Sequence, residues 1–154
     1  MNRKTALRFG PSCLAGLLLG IGTVVGAAEY DQKIEKEFQV STGGTLSVQA
    51  DRGSIEVNSD ASDKVHVRVL RHIKGGSQAQ ADELFANHDV TFRQDGNTVS
   101  VIGRNKKDQF RFGNFRQPSL QVRYEIRIPR KYNADLNTSG GDIRLGEQIG
   151  RAHV

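Results

Sequence analysis

The chain has 154 residues, with 22 Lys and Arg against 17 Asp and Glu, one Cys, no Trp and 36% hydrophobic residues. Arg3, Lys4 and Arg8 supply three of the cations and the first 28 residues hold no acid, so beyond them the net charge falls from +5 to +2 and gives no case for nucleic acid. The remainder is one domain in size; no run after residue 28 is apolar enough to span a membrane, and a lone Cys cannot staple a mini-protein.

Residues 1–28 read as a signal peptide. Arg3, Lys4 and Arg8 form a positive start, Cys13 to Val25 an apolar run, and Gly26-Ala27-Ala28 a small-residue site for cleavage before Glu29. The alternative is an uncleaved N-terminal anchor. Cys13 opens the apolar run instead of following it, which does not suit a lipid-bearing Cys. It would leave with the leader, and a mature chain without Cys suits an oxidising, extracytoplasmic compartment.

From Phe38 onward apolar residues recur with period two, the signal of half-buried strands. The runs are Leu46-Val48-Ala50, Ile55-Val57, Val65-Val67-Val69, Val99-Val101 and Val122-Tyr124-Ile126-Ile128. Gly43-Gly44, Asp51-Arg52-Gly53, Asp95-Gly96-Asn97 and Gly140-Gly141 punctuate them. Asp95-Gly96, between Val90-Thr91-Phe92 and Val99-Ser100-Val101, predicts a tight hairpin. One segment departs from this period. Ser77, with Gln80 three residues on, forms a capping box, and Ala81, Leu84 and Phe85 then share a helical face, so one short helix is expected at about 77–87.

A weak internal repeat emerges. Leu46 to Val57 aligns without gaps to Ala134 to Leu145, matching Gly53 with Gly141, Ile55 with Ile143 and Val57 with Leu145. The unit is a strand, a Gly corner of the kind that calls for φ > 0, and another strand. Such units bury their apolar face by stacking on neighbours. Gly53, Gly140 and Gly141 are the structural turn residues of this scheme.

The units Gly43-Gly44-Thr45-Leu46-Ser47-Val48, Asp51-Arg52-Gly53-Ser54-Ile55-Glu56-Val57, Tyr124-Glu125-Ile126-Arg127-Ile128-Pro129 and Asn137-Thr138-Ser139-Gly140-Gly141-Asp142-Ile143 resemble the bacterial "putative adhesin" family of β-strand-repeat proteins. The resemblance spans roughly Phe38 to Leu145. It implies a mainly β fold, a β-solenoid-like stack of short strands and hairpins, in an exported or membrane-attached protein. It brings no catalytic residues. Members of that family usually continue through further Thr-Ser-Gly-Gly-like units, so residues 29–148 read as a single, incomplete repeat domain and residues 149–154 as a non-native tail.

Chemistry-bearing constellations are sparse. His66 and His72 share a strand face but stand about 20 Å apart, too far for one metal ion. His88 falls in a helix-exit turn, and a solvated or satisfied imidazole is expected at all three. No zinc, calcium, nucleophile-elbow or phosphate-loop motif occurs, so neither catalytic residues nor a cofactor nor a metal are assigned. The uncommon stretch runs from Arg104 to Arg116, where Arg104, Lys106, Lys107, Arg111 and Arg116 interleave with Phe110, Phe112 and Phe115 around a single acid. Such a loop could hold an anionic glycan, lipopolysaccharide or membrane surface. The competing reading is a long connection whose Phe residues cap the core. The sequence thus points to an exported bacterial β-repeat protein, not an enzyme, with a structural, adhesive or ligand-binding role at the cell envelope. The expected partners are glycans, anionic surfaces or proteins, or further copies through an open β edge, and not nucleic acid. Two alternatives stand beside it: a membrane-attached envelope-stress or signalling accessory, and a carbohydrate-active enzyme on a β-solenoid scaffold.

Overall fold

The computed structural model describes residues 28–106, 118–146 and 151–153. The leader, apart from Ala28, lies outside them. They form ten strands and one helix: β1 Glu29–Gln39, β2 Thr45–Ala50, β3 Ser54–Asp60, β4 Lys64–Lys74, α1 Gln78–Asn87, β5 His88–Asp95, β6 Thr98–Asn105, β7 Ser119–Pro129, β8 Asn133–Thr138, β9 Ile143–Leu145 and β10 Ala152–His153. The strands make two mixed sheets of five, in the orders β1-β4-β7-β3-β9 and β10-β8-β2-β6-β5.

The alternation in the sequence sets the two faces of each sheet. Leu46, Val48, Val99, Val101, Ala134 and Leu136 from one sheet are buried with Ile55, Val57, Val65, Val67, Val69, Tyr124, Ile126 and Ile128 from the other in a single core. The residues between them face outward. Ser77 caps α1 as its spacing predicts: its hydroxyl accepts from the Gln80 amide at 3.3 Å, and its own amide donates to Gln80 Oε1 at 2.9 Å. Ala81 and Phe85 of that helix are buried, and Leu84 packs beside the core. The hairpin turns at Gly96-Asn97, between the paired residues Asp95 and Thr98, with Gly96 at φ +55°.

The internal repeat corresponds to spatial register. β2 pairs in parallel with β8, Leu46 opposite Ala134 and Val48 opposite Leu136. β3 pairs in parallel with β9, Ile55 opposite Ile143 and Val57 opposite Leu145. Each residue therefore lies against its partner in the ungapped alignment. A third strand pair joins the stack from the other side, because β6 lies parallel to β2 and β7 parallel to β3. Beyond β8, Ala152 and His153 pair in parallel with Ala134 and Asp135. Antiparallel strands complete the sheets: β5 on β6, and β4 on β7 with β1 outside it. The sheets do not close on each other.

The corners of the stack are the points of closest backbone approach. Gly53 has φ +110° and Gly141 φ +130°. The Gly53 amide donates to the Gly140 carbonyl at 2.7 Å, which locks one corner onto the next. A Cβ on Gly141 would lie 2.5 Å from the Gly53 carbonyl, and one on Gly53 would lie 2.5 Å from the Val122 carbonyl. Gly140 has open space around its Cα and no left-handed φ, so the constraint rests on its neighbour. Gly53→Val is expected to cost about 2–3 kcal/mol, from a strained backbone and a steric contact that main-chain atoms cannot relieve. Gly140→Ala is expected to be nearly neutral. Thermal melts of the two variants beside the parent check the contrast.

Candidate functional site

The outward face of the β1-β4-β7-β3-β9 sheet carries most of the paired charge. Strand β1 brings Asp31, Lys33, Glu35 and Glu37 opposite His72, Leu70, Arg68 and His66 of β4. Beyond them on β7 stand Gln121, Arg123, Glu125 and Arg127. On β3, Ser54, Glu56 and Asn58 continue the last three rows. The centre of this face is neutralised by ion pairs. Arg68 Nε donates to Glu35 Oε1 at 2.8 Å and its Nη1 reaches Glu125 Oε2 at 3.5 Å, while Lys33 Nζ is 3.3 Å from Glu35 Oε2. The hydrogen bonds from Arg68 and then Lys33 hold the Glu35 carboxyl below its ordinary range.

Two depressions mark the face. The smaller, about 210 Å³, lies among Glu56, Asn58, His66, Arg68, Glu125 and Arg127. The larger, about 530 Å³, is lined by Asp31, Lys33, Leu70, His72, Gln121 and Arg123, with Ser54 at its far side. His72 Nδ1 lies 2.8 Å from Asp31 Oδ1, which fixes the ring and leaves Nε2 for a ligand. Arg123 has no carboxylate partner among the described residues, unlike Arg68 one row away. Among the described residues, no group of three or more His, Cys, Asp and Glu side chains could hold a metal ion. No helix among them is long and apolar enough to cross a membrane.

Of the loop singled out in the sequence, Arg104 and Lys106 are described. Both are exposed, with Lys106 Nζ 4.0 Å from Asp89 Oδ1. Lys107, Phe110, Arg111, Phe112, Phe115 and Arg116 lie outside the described residues. Gly53, Gly140 and Gly141 sit at the corners and line neither depression, although Gly53 adjoins Ser54 and Val122 at the edge of the larger one.

Sequence reasoning missed a polar cluster inside the core. His88, read as a turn residue, opens β5 and is only 2% exposed. Its Nε2 lies 3.3 Å from the Tyr124 hydroxyl, and its Nδ1 is buried without a partner. Gly103 of β6 makes room for that hydroxyl, since any Cβ there would collide with it. Arg71 Nη1 donates to the Phe85 and His88 carbonyls at 3.2 and 2.9 Å, its Nη2 to Gln32 Oε1 at 2.6 Å, and its guanidinium lies 5.4 Å from the Phe85 ring centre. One Arg thereby ties the helix end, β5 and β1 together. The only sequence clue was Arg71 itself, a cation at a position where the alternation of β4 demands an inward side chain. Burial first, then the Arg71 and Arg52 cations, push the imidazole of His88 down to about 4, against Asp51 and Asp89 acting the other way. Burial likewise pushes the Tyr124 phenol up to about 12.

No family model matches the chain, and no curated protein matches it in sequence. Similar solved structures include a putative cell adhesion protein from Clostridium sporogenes, 9% identical with a TM-score of 0.46 over 78% of this chain and 54% of that one. A putative lipid binding protein from Parabacteroides distasonis is 14% identical, with a TM-score of 0.34 over 70% of this chain and 39% of that one. A putative adhesin from Parabacteroides merdae is 10% identical, with a TM-score of 0.32 over 70% of this chain and 37% of that one. Two of these three names refer to adhesion and one to lipid binding. The chain spans about half the length of these structures or less.

The buried imidazole predicts a pH dependence. Between about pH 6.5 and 4 the unfolded chain binds a proton at His88 that the folded chain refuses, so stability falls as the pH drops through this window. The loss approaches about 3 kcal/mol below pH 4. Urea midpoints measured from pH 7 to pH 4 should fall less steeply for His88→Gln than for the parent; equal slopes would contradict the assignment.

Proposed function

We propose that this is an exported β-repeat protein that binds a ligand at the bacterial cell envelope in a structural or adhesive role. Its Gly-cornered strand pairs stack in a solenoid-like manner and the outward face of the β1-β4-β7-β3-β9 sheet meets the ligand. The observation that carries the reading is the depression of about 530 Å³ on that face, where side chains of three adjacent strands converge with Ser54 of a fourth. A concave site with a few convergent polar groups is the usual form of a ligand pocket. Export rests on the sequence of the leader, and the basic loop from Arg104 to Arg116 supplies a second anion-attracting segment.

The reading is tested by expressing the whole chain in a Gram-negative host. The protein is expected in the periplasm with Glu29 as its first residue; N-terminal sequencing that finds Met1 in the membrane fraction would favour an anchored form. The purified product is then titrated against lipopolysaccharide, alginate and anionic vesicles at low and high salt. Binding should weaken with salt, because exposed charges are screened within about 10 Å at 0.1 M. A variant with Lys106, Lys107 and Arg111 changed to Ser reports the loop's share, and equal binding by both proteins would remove the loop as a site. Failure of the parent to bind any of the three would remove the ligand-binding reading.

A further inference from the structure

Charge on the outward sheet face is unevenly compensated. The row of Glu35, Arg68 and Glu125 is closed by ion pairs, and Lys64 is paired with Glu37 at the far end. In the larger depression the balance is different. Lys33, Leu70, Arg123 and Ser54 stand side by side in one register row, and Asp31, His72 and Gln121 in another, two residues away along the strands. Lys33 is shared with Glu35, Asp31 is turned to His72, and Arg123 has no carboxylate partner among the described residues.

We propose that this depression is a subsite for a phosphate ester, held by Arg123 and Lys33 on either side of Leu70 and completed by His72, Gln121 and Ser54. The inference rests on the ligand-binding reading above and names the chemistry of its ligand. Lys33 and Arg123 sit two strand spacings apart, about 10 Å between main chains, a gap their long side chains close over a single anion. Arg presents a planar fork that matches two oxygens of a phosphate, and the Lys ammonium adds a point charge. The Ser54 hydroxyl and the Gln121 amide are neutral donors suited to further oxygens. The contact of Asp31 with Nδ1 at 2.8 Å orients the His72 ring at the edge of the depression. Leu70, half-buried between the cations, offers an apolar floor to the carbon skeleton of the ester. The volume accommodates a sugar phosphate or a phospholipid head group.

The test uses the purified protein with glycerol 3-phosphate as the soluble probe and phosphatidylglycerol vesicles as the lipid probe, beside phosphatidylcholine vesicles and phosphate-free alginate. Arg123→Ala is expected to lower affinity for both phosphate probes at least tenfold, and Arg123→Lys to restore part of it. Arg127→Ala, on the same strand and face but in the smaller depression, is expected to change affinity less than twofold. Thermal melts confirm that all three variants fold. Binding confined to glycerol 3-phosphate assigns the ester to a soluble or glycan source, and binding confined to the vesicles assigns it to a lipid head group; either supports the subsite. Equal losses from Arg123→Ala and Arg127→Ala would reduce the effect to general electrostatics and overturn it. Binding to alginate with none to the phosphate probes would overturn the subsite and leave the ligand-binding reading standing. No binding to any of these probes would overturn the subsite, and no binding to lipopolysaccharide either would remove the ligand-binding reading as well.

Discussion

The fold depends on one steric constraint: two polypeptide corners must pass within hydrogen-bonding distance of each other, with no side chain between them. Gly53 and Gly141 meet it, each at a left-handed φ that a Cβ resists. With the corners in contact, the strands before and after them fall into parallel register on both sheets at once. The register then decides which side chains enter the core, because a slip of one residue would turn Leu46, Val48, Ile55 and Val57 outward. The other elements build on this base: β6 and β7 continue the parallel pairing, and the antiparallel strands β5, β4 and β1 extend the sheets beyond them.

Much of this was legible in the sequence for identifiable reasons. Period-two alternation reports which face is buried, and Ser77 with Gln80 reports a helix start. The ungapped match of Leu46–Val57 to Ala134–Leu145 reports register, because parallel neighbours repeat the same local problem at the same step. Strand β1 escaped notice. Its partly buried residues Tyr30, Ile34 and Phe38 are spaced by four, with only charged and polar side chains between them. A strand that rests only part of one face on the core has too few apolar positions to show its period. The order of strands in the sheets was also hidden, since pairing β4 with both β1 and β7 depends on contacts remote in sequence.

The candidate site was less legible than the fold for the same reason. Asp31 and His72 are far apart in the chain and meet only because β1 lies antiparallel to β4 in one particular register. Gln121 and Arg123 read as ordinary outward positions of one run and Ser54 as the start of another. The buried cluster had a further obstacle. His88, Tyr124 and Gly103 come from three strands, and their relation is one of volume, a small residue facing a large one. Buried polar groups of this kind sharpen specificity at some expense of stability, because each unmet hydrogen bond is costly. His88 Nδ1 is such a group.

The position of β2 and β3 within their sheets has a consequence for how the chain reaches this structure. Both are interior strands, with β8 and β6 on either side of one and β7 and β9 on either side of the other. They are also among the first strands to leave the ribosome, while all four neighbours are encoded later. The central pair therefore waits for β6 and β7 before either strand gains a parallel partner, and each keeps one edge open until β8 and β9 follow. Local hairpins cannot relieve the wait, because parallel strands need a long crossover between them. Closing those loops before any pairing is gained makes folding slow and leaves bare backbone open to other chains in the interval. The order of synthesis and the order of assembly thus run against each other.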